Sequence, residues 1–373
     1  MVPNLRFNGY TENWQKYRTI ELGQMQRGKS KHRPRDDEKL YGGAYPFIQT
    51  GDIKKANLYI KEYERTYSNY GLSQSKLWSK GTLCITIAAN IAETAILGLN
   101  ACFPDSVIGW ISNEKITNNI FIKYYFDFYK TQLKRLSVGG AQENLNLDKL
   151  ENVYFHIPTL PEQNDITNLL TKIDELIETQ IKIIDTLSSQ KKQIRNLIFK
   201  DIHKNANCCI QDYVIYEQPQ KYIVHSTDYV SHGKDYTPVL TANQSFILGY
   251  TLEKDGIYKK GDCIIFDDFT NENKYVDFPF KVKSSALKIL QTKEGLMLKF
   301  FYEYLQFLNF ESTDHKRHYL SEVAVTDISV PNLKEQTFLC KIFTSFDNKL
   351  KNEEALLEKY RLQKQFLLNN LFI

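Results

Sequence analysis

The sequence predicts an α+β protein in which two mixed α/β modules are joined by a coiled-coil pair of long antiparallel helices, forming an internal pseudo-two-fold repeat. Three observations predict this fold. A stretch from the middle of the chain recurs at its end, both copies have helical periodicity, and the regions that precede the two copies share strand and helix patterns. Two copies are too few for a solenoid, which needs about three repeats, but they can form one pair.

The repeat aligns residues 157–200 with residues 330–373 without a gap, with ten identities in 44 positions. Each copy has a proline, a short spacer and a Glu-Gln pair, followed by a long run of apolar residues at helical spacing. A proline near this position is typical of the start of a helix. Each predicted helix has almost forty residues, which corresponds to a rod of roughly 55–60 Å.

Polar residues interrupt the apolar seam at the same two positions of each copy. The interruptions are Gln180 and Lys191 in the first copy, and Glu353 and Lys364 in the second. Polar seam positions help to fix the register of paired helices, so matched interruptions predict that the two helices face each other. A bundle core or a zipper between two molecules is less favoured, because both copies lie in one chain.

The regions between the helices indicate two modules of one fold. Four segments match in order, namely 45–52 with 236–244, 77–87 with 257–267, 101–112 with 278–290, and 121–130 with 297–306. The spacings between them differ, which is expected of modules that keep a frame and vary their loops. We therefore divide the chain into a first module (1–156), a first helical region (157–203), a second module (204–329) and a second helical region (330–373).

Composition restricts the class of protein. With 42% hydrophobic residues the 373-residue chain can form several cores, and its net charge of +4 permits nucleic-acid binding without requiring it. The N-terminus does not resemble a signal peptide, and residues 83–99 are too short and polar to span a bilayer. The six cysteines have no paired metal-type spacing. We expect a soluble cytoplasmic protein.

The sequence favours no catalytic centre and no metal site. An adenine methyltransferase would carry an Asp/Asn-Pro-Pro-aromatic motif and a glycine-rich cofactor turn, and the chain has neither. The candidate for a nuclease is the group Asp267, Asp268, Glu272 and Lys274, since paired acids can hold a divalent metal. Their close spacing favours a strand end followed by a polar turn. The seven histidines show no ligand spacing.

Several short motifs resemble those of a known family. They are Val2-Pro3-Asn4-Leu5-Arg6-Phe7 with Trp14, Gln49-Thr50-Gly51-Asp52-Ile53, Gly140-Ala141-Gln142-Glu143-Asn144-Leu145, and Phe266-Asp267-Asp268-Phe269-Thr270. Together with the repeated Pro and Glu-Gln, they resemble the specificity (S) subunit of type I restriction-modification systems along essentially the whole chain. One difference is that the second module has residues 314–318 where the first has its glycine-rich loop.

The resemblance implies a non-catalytic, sequence-specific DNA-binding subunit. Each module would be a target-recognition domain that reads one half of a bipartite site in double-stranded DNA. The helices would set the distance between the halves and dock two adenine-N6 methyltransferase (M) subunits, with restriction/translocase (R) subunits joining the complex. It also implies that this chain binds no cofactor, and that S-adenosylmethionine, ATP and Mg²⁺ are held by the partner subunits. The alternative is a coiled-coil adaptor or transcription regulator outside restriction-modification.

Candidate DNA-binding residues are the cations and amides of predicted loops. Cations suit phosphates, bidentate arginine suits guanine, and amides suit adenine, whereas a solvated loop or a turn explains the same residues without DNA. In the first module the candidates are Arg27, Lys29, Lys31, Arg33, Arg35, Gln142 and Asn144. In the second they are Asn243, Gln244, Lys283, Ser284, His315, Lys316, Arg317 and His318.

Overall fold

The computed structural model describes residues 2–88, 90–137, 145, 147–230, 233, 236–242, 246–310 and 318–373, with the backbone alone for residues 135–137. The chain divides into two compact units. Unit 1 comprises residues 1–183 and 354–373, and unit 2 comprises residues 184–353. Each long helix therefore contributes to both units, and the four-segment division of the sequence stays a prediction.

Unit 1 contains the first module. Its elements are β1 (Gln15–Arg18), α1 (Thr19–Leu22), β2 (Gly23–Arg27), β3 (Tyr41–Phe47), α2 (Thr50–Lys55), β4 (Tyr59–Ile60), β5 (Arg65–Tyr67), α3 (Asn69–Ser73), β6 (Leu83–Thr86), β7 (Thr94–Leu97), β8 (Val107–Ser112), α4 (Asn119–Ser137), α5 (Leu147–Glu151) and β9 (Tyr154–Ile157). The first long helix, α6 (Leu160–His203), follows and continues into unit 2.

Unit 2 contains the second module. Its elements are β10 (Cys208–Cys209), α7 (Ile210–Tyr213), β11 (Val214–Glu217), β12 (Thr237–Leu240), β13 (Ile247–Thr251), β14 (Cys263–Asp267), β15 (Asn273–Val276), β16 (Lys281–Val282), β17 (Leu287–Thr292), α8 (Leu298–Leu308) and β18 (Asp327–Ile328). The second long helix, α9 (Leu333–Leu371), begins in unit 2 and ends in unit 1.

The two modules share one frame. The main sheet of unit 1 has the order β2-β8-β6-β7-β4, and that of unit 2 has the order β11-β17-β14-β15. In both, the segment matched from the sequence at 101–112 or 278–290 supplies the strand between its two antiparallel neighbours. The aromatic cores also correspond, since Trp78 stacks on Phe103 at 4.8 Å and Tyr258 stacks on Phe280 at 4.9 Å between ring centroids. The predicted duplication is confirmed.

The long helices form an antiparallel pair within each unit, as predicted. In unit 1 the start of α6 and the end of α9 hold the same N-terminal segment, and further along Asp174 pairs with Lys364. In unit 2 Lys191 of α6 pairs with Asp347 of α9. Toward the end of α6 and the start of α9, the rings of Phe199 and Phe343 lie 6.0 Å apart between centroids. No helix of the described residues is long and apolar enough to cross a membrane.

Candidate nucleic-acid interface

The basic loop predicted at residues 26–35 begins at the end of β2 and is tightly anchored. The backbone N–H of Gly28 donates to the carbonyl of Val107 at 2.8 Å, and the N–H of Lys31 donates to the carbonyl of Gln74 at 3.1 Å. A Cβ at Gly28 would lie 2.3–2.6 Å from atoms of residues 103 and 104, so only glycine fits this approach. The loop is therefore a fixed platform for its side chains.

The cations of this loop fall into two groups. Arg35 forms two hydrogen bonds of 2.8 Å with Asp105, and Arg33 lies 3.8 Å from the same carboxylate. Arg27, Lys29 and Lys31 are exposed, and none of them has an acidic partner among the described residues. The second group has cationic charge that is available to phosphates.

Lys76, which the sequence interpretation missed, adds to this charge. Its Nζ lies 3.6 Å from the ring centroid of Trp78 and donates to the side chain of Gln26 at 2.6 Å. Burial, and then the nearby charge of Lys29, lower the pKa of Lys76. A lysine whose pKa is lowered by the charge of a neighbouring lysine indicates an electropositive patch. The signal is weak in the sequence because Lys76 lies almost fifty residues from the loop.

A cavity of about 310 Å³ lies beside the loop. Two arginines and two tyrosines line it, namely Arg35, Arg65, Tyr41 and Tyr67. The guanidinium of Arg65 lies 5.1 Å from the ring centroid of Tyr41, and burial raises the pKa of Tyr67 to about 12. Flat aromatic and guanidinium groups are well suited to stacking, so Arg65 joins the candidate interface although it lies in a strand that gave no basic run.

The candidates of the second module are only partly described. Strands β12 and β16 are parallel, so the chain leaves both at the same sheet edge. Lys283 and Ser284 follow β16 there and are exposed, and the N–H of Lys283 donates to the carbonyl of Leu240 at 3.2 Å. Seven other candidates, namely Gln142, Asn144, Asn243, Gln244, His315, Lys316 and Arg317, lie outside the described residues.

His318 does not lie at an accessible surface, which corrects its inclusion among the candidates. Its side chain is buried, and Nδ1 lies 2.9 Å from a carboxylate oxygen of Glu322. Its backbone N–H donates to the carbonyl of Asp268 at 2.9 Å. His318 therefore caps the π-helical turn at Tyr319–Val323. The sequence shows only that His318 ends a dense cationic run, and it does not indicate that the side chain of His318 is buried.

The acids that the sequence offered as a nuclease constellation have structural partners. Asp267 accepts hydrogen bonds from the N–H groups of Phe269 and Thr270 at 2.9 and 3.0 Å. Asp268 is buried and pairs with Lys288 at 3.1 Å. These contacts agree with the interpretation as a strand end followed by a polar turn.

Each long helix is seated on its module by the glutamine of the repeated Glu-Gln. The Nε2 of Gln163 donates to the carbonyls of Ile116 and Pro158 at 2.8 and 2.9 Å. The Nε2 of Gln336 donates to the carbonyls of Gly295 and Pro331, both at 2.8 Å. Both glutamines are buried. The repeated motif therefore has one physical role in both units, which is to join the start of a long helix to the turn before α4 or α8.

Comparison with known proteins identifies the family. The family model for the type I restriction modification DNA specificity domain matches residues 11–188. The specificity subunit of the EcoR124I/EcoR124II type I restriction enzyme of Escherichia coli is 48% identical over 122 residues, which is 31% of this chain and 30% of that protein. The MjaIX specificity subunit of Methanocaldococcus jannaschii is 24% identical over 343 residues, with 88% of this chain and 76% of that protein covered.

The fold agrees with these sequence matches. The crystal structure of the type I restriction-modification S subunit from M. genitalium covers 100% of this chain and 99% of its own length, with a TM-score of 0.65 and 17% identity. Residues 11–188 belong to the type I restriction modification DNA specificity domain family. The matches to the EcoR124I/EcoR124II subunit and to the putative MjaX subunit of M. jannaschii span only 30% and 43% of those relatives.

The helices of unit 2 contain a buried charge network. Glu303 of α8 is fully buried and lies 2.9 Å from both Lys191 and Arg195 of α6. Lys299 of α8 lies 3.2 Å from Glu303 and 2.5 Å from Asp347 of α9. Three helices are thus joined by charges that satisfy one another, which is the condition under which buried ions are tolerated.

Some apolar residues of the long helices do not belong to the repeated apolar seam, and several of them are exposed. Leu176, Ile181, Ile183 and Phe366 are exposed, whereas Leu169, Ile342 and Leu356 are half-buried. Leu368 is buried. Exposed apolar side chains on a helix are typical of a surface that another protein covers.

One group of three possible metal ligands does come together in unit 2. The ligand atoms of His225, Glu253 and Asp255 lie within 4.8 Å of one another. Glu253, however, pairs with Lys281 at 2.5 Å, and this ammonium group opposes a second cation. The sequence interpretation missed the group because His225 lies far along the chain from the other two. We assign no metal to it.

Proposed function

We propose that this specificity subunit reads a bipartite site in double-stranded DNA, with one half read by each module. The observation that carries the proposal is the shared frame of the two modules, which are seated on the long helices by equivalent glutamines but differ in their loops. Two readers on a stiff support fit half-sites at a fixed separation, for which one DNA turn, roughly 34–36 Å, is the simplest value.

In this proposal the basic loop of the first module contacts phosphates. Arg27, Lys29 and Lys31 project from a platform that is fixed by Gly28, and Lys76 extends the positive surface. Phosphate contacts position a protein on DNA, and base contacts specify the sequence. Arg65 at the neighbouring cavity supplies a planar group of the kind that base recognition uses. In the second module Lys283 and Ser284 take the corresponding part.

The long helices would dock two adenine methyltransferase (M) subunits, and restriction/translocase (R) subunits would join them. The exposed side chains of Ile183 and Phe366 support this part of the proposal, since water contact with such groups is unfavourable. The chain itself would be non-catalytic. S-adenosylmethionine would be held by the M subunits, and ATP and Mg²⁺ by the R subunits.

Module exchange combined with methylome sequencing tests the reading of the DNA. Residues 204–329 are replaced with the second module of a relative, and the chimera is expressed with its M subunit. Because Gln336 bonds to backbone carbonyls, the new module should keep its seat. One half of the methylated motif should change and the other should stay the same. A change in both halves, or in neither, contradicts the proposal.

Light scattering coupled to size-exclusion chromatography tests the docking. The wild-type chain co-expressed with its M subunit should elute as a complex with two M subunits. Phe366→Asp should release at least one of them, whereas Leu320→Asp, at an equally exposed leucine of the second module, should not. A wild-type chain that elutes free of the M subunit overturns this part.

A further inference from the structure

Residues 2–14 of unit 1 lie along the ends of both long helices. The N–H of Leu5 donates to the carbonyl of Asn370 on α9 at 2.9 Å. The guanidinium of Arg6 donates to both carboxylate oxygens of Glu162 on α6, at 2.7 and 2.8 Å. One main-chain hydrogen bond and one bidentate ion pair thus hold this segment, and the latter is among the stronger contacts that a side chain makes.

Two aromatic residues complete the seat of this segment. The hydroxyl of Tyr10 donates to Asp165 at 2.6 Å. The ring of Trp14 lies edge-on to Phe372 at 6.4 Å between centroids, and its Nε1 donates to Glu162 at 3.2 Å. The segment therefore covers the helix ends with apolar surface and neutralises the acid between them.

The repeat places an equivalent seat in unit 2. Asn370 corresponds to Leu197, Glu162 to Glu335, and Asp165 to Phe338. These three equivalents line an open groove of about 970 Å³. The chain of unit 2 passes from the end of α6 at His203 to β10 at Cys208 and so supplies no segment comparable to residues 2–14. Among the described residues, nothing fills this second seat.

The groove is apolar and accessible. Leu197 is 75% exposed and Phe338 is 64% exposed, the two largest values among the large hydrophobic side chains of the described residues. Ile202 and Leu339 also line it. Glu335 has no cationic partner among the described residues, whereas its equivalent in unit 1 is paired. Lys200, Lys334 and the Lys204–Asp201 pair also line the groove. An exposed apolar patch with polar and charged groups around it is typical of a binding site for another chain.

We propose that this groove binds an extended segment of a partner protein with the chemistry of Leu5-Arg6-Phe7. An apolar residue would cover Leu197, an arginine would pair with Glu335, and a further apolar residue would lie on Phe338. The last position differs from unit 1, where Tyr10 meets a carboxylate. The partner segment therefore carries an apolar side chain where this chain has a tyrosine.

A second copy of this chain is a poorer occupant. Its residues 2–14 would have to leave their own seat, and Glu162, which is almost fully buried, would lose the guanidinium of Arg6. Such an exchange fills one groove by opening another, so it yields no net gain. A segment from a different protein has no such cost.

Peptide binding to the isolated full chain tests the proposal without DNA or other subunits. The probes are fluorescein-labelled peptides with the sequence of residues 2–14, either unchanged or with Tyr10→Leu, and binding is followed by anisotropy. The Tyr10→Leu peptide should bind saturably and about tenfold more tightly than the unchanged one. In the Phe338→Asp chain, which restores the chemistry of unit 1, this preference should reverse.

Charge exchange at Glu335 provides the second readout. A peptide with Tyr10→Leu and Arg6→Glu should bind the wild-type chain at least tenfold more weakly, and Glu335→Lys should restore its binding. Glu335 and Phe338 are both exposed in the folded chain, so their replacement should leave the fold intact. Leu320→Asp, at an exposed leucine of unit 2 that does not line the groove, is the matched control and should leave every affinity unchanged.

Three results would overturn the proposal. They are no saturable binding of either peptide at millimolar concentration, affinities that do not respond to Phe338→Asp and Glu335→Lys, and equal loss in the Leu320→Asp control. Sedimentation of the chain alone distinguishes the remaining occupant. A dimer that Phe338→Asp dissociates would show that a second copy fills the groove, and the partner segment would be rejected.

Discussion

Lys191 of α6 donates to Asp347 of α9 at 2.6 Å. The internal repeat relates this pair to a second pair in which the lysine lies on α9 and the aspartate on α6. The equivalent of Lys191 is Lys364 on α9, and the equivalent of Asp347 is Asp174 on α6, and these two lie 2.7 Å apart. The same two residue types thus bridge the same two helices in both units. The polar interruption that was visible in the sequence at Lys191 and Lys364 is one half of each bridge.

The two bridges should differ in their effect on stability. Lys364 is the cation that neutralises Asp174, which is nearly fully buried and otherwise accepts from the hydroxyl of Tyr124. Lys364→Met should therefore lower the free energy of unfolding by about 3 kcal/mol, because a buried carboxylate is left without a counter-charge. Denaturant unfolding followed by circular dichroism measures this loss.

Lys191→Met should cost less, about 1–2 kcal/mol, because Arg195 and Lys299 remain beside Glu303 and Asp347. The control is Lys182→Met, which removes an exposed ion pair with Glu178 within α6 and should cost under about 0.5 kcal/mol. The reverse order, with Lys191 the costlier of the two buried lysines, would show that the network in unit 2 cannot reorganise around a missing member.

The free energy of unfolding should depend on pH through Asp347 and should decrease at low pH. Burial raises the pKa of this carboxyl, but hydrogen bonds from Lys191 and Lys299 outweigh the burial and hold the pKa below its usual value. The contribution is therefore present in full above the unfolded pKa of about 4 and is lost as the pH falls through the lower folded value. The difference in urea midpoint between wild type and Asp347→Asn should be constant near pH 6 and shrink below about pH 4. A difference that persists unchanged to pH 3 contradicts this cause.

Periodicity and self-comparison revealed the frame because a duplicated core repeats its apolar positions. Trp78 and Tyr258 have the same place in two sheets, and the seams that contain Leu170 and Phe343 are buried as expected. The candidate site was harder to predict because charge in a sequence does not reveal its partners. Asp105 neutralises Arg35 across the fold, and no local pattern indicates that contact.

Gln336→Leu should loosen the seat of α9. Its amide accepts from the N–H of Met297 and donates to the carbonyls of Gly295 and Pro331, and leucine would leave these three backbone groups without their partner. The expected loss in the free energy of unfolding is about 3 kcal/mol. Hydrogen exchange at the amide of Met297 should accelerate, whereas Gln365→Leu, at an exposed site of α9, should change neither quantity.

Removal of three loop cations should weaken DNA binding and reduce its salt dependence. If Arg27, Lys29 and Lys31 each contact a phosphate, their replacement with alanine lowers the slope of log K against log salt by about 2.7. Anisotropy with a DNA duplex from 50 to 200 mM salt, on the chain together with the M subunit that we propose as its partner, measures the slope. Lys55→Ala is the control, because Lys55 already pairs with Glu64. An unchanged slope would exclude phosphate contact by this loop.

Matched insertions into both long helices should lengthen the spacer of the recognised motif. Four residues inserted after Lys182 and four after Ala355, its equivalent in the repeat, keep Asp174 opposite Lys364 in unit 1 and Lys191 opposite Asp347 in unit 2. Each insertion adds about 6 Å of helix, close to two base-pair steps of roughly 3.4 Å. Methylome sequencing should find both halves unchanged and the spacer longer.

An unchanged spacer with full methylation would show that the helices do not set the distance. The single insertion after Lys182 serves as the control, because it moves one half of α6 past α9 and breaks one of the two bridges. It should lose methylation where the matched pair keeps it. The spacer length can be read only in the matched variant, which should stay methylated, whereas the loss in the single variant reports the broken bridge.

The seat of each long helix has a consequence for how such proteins diversify. The side chain of Gln336 bonds to main-chain atoms of Gly295 and Met297 in its module and of Pro331 just before α9. The Nε2 of Gln163 likewise bonds to the main chain of Ile116 in its module and of Pro158 just before α6. A main-chain partner is present whatever side chains surround it, so the joint does not depend on the loops that face outward. If each module reads one half-site, as we propose, recombination between related genes would exchange whole modules at this joint and create a new target sequence in one step, while the helices remain as they were.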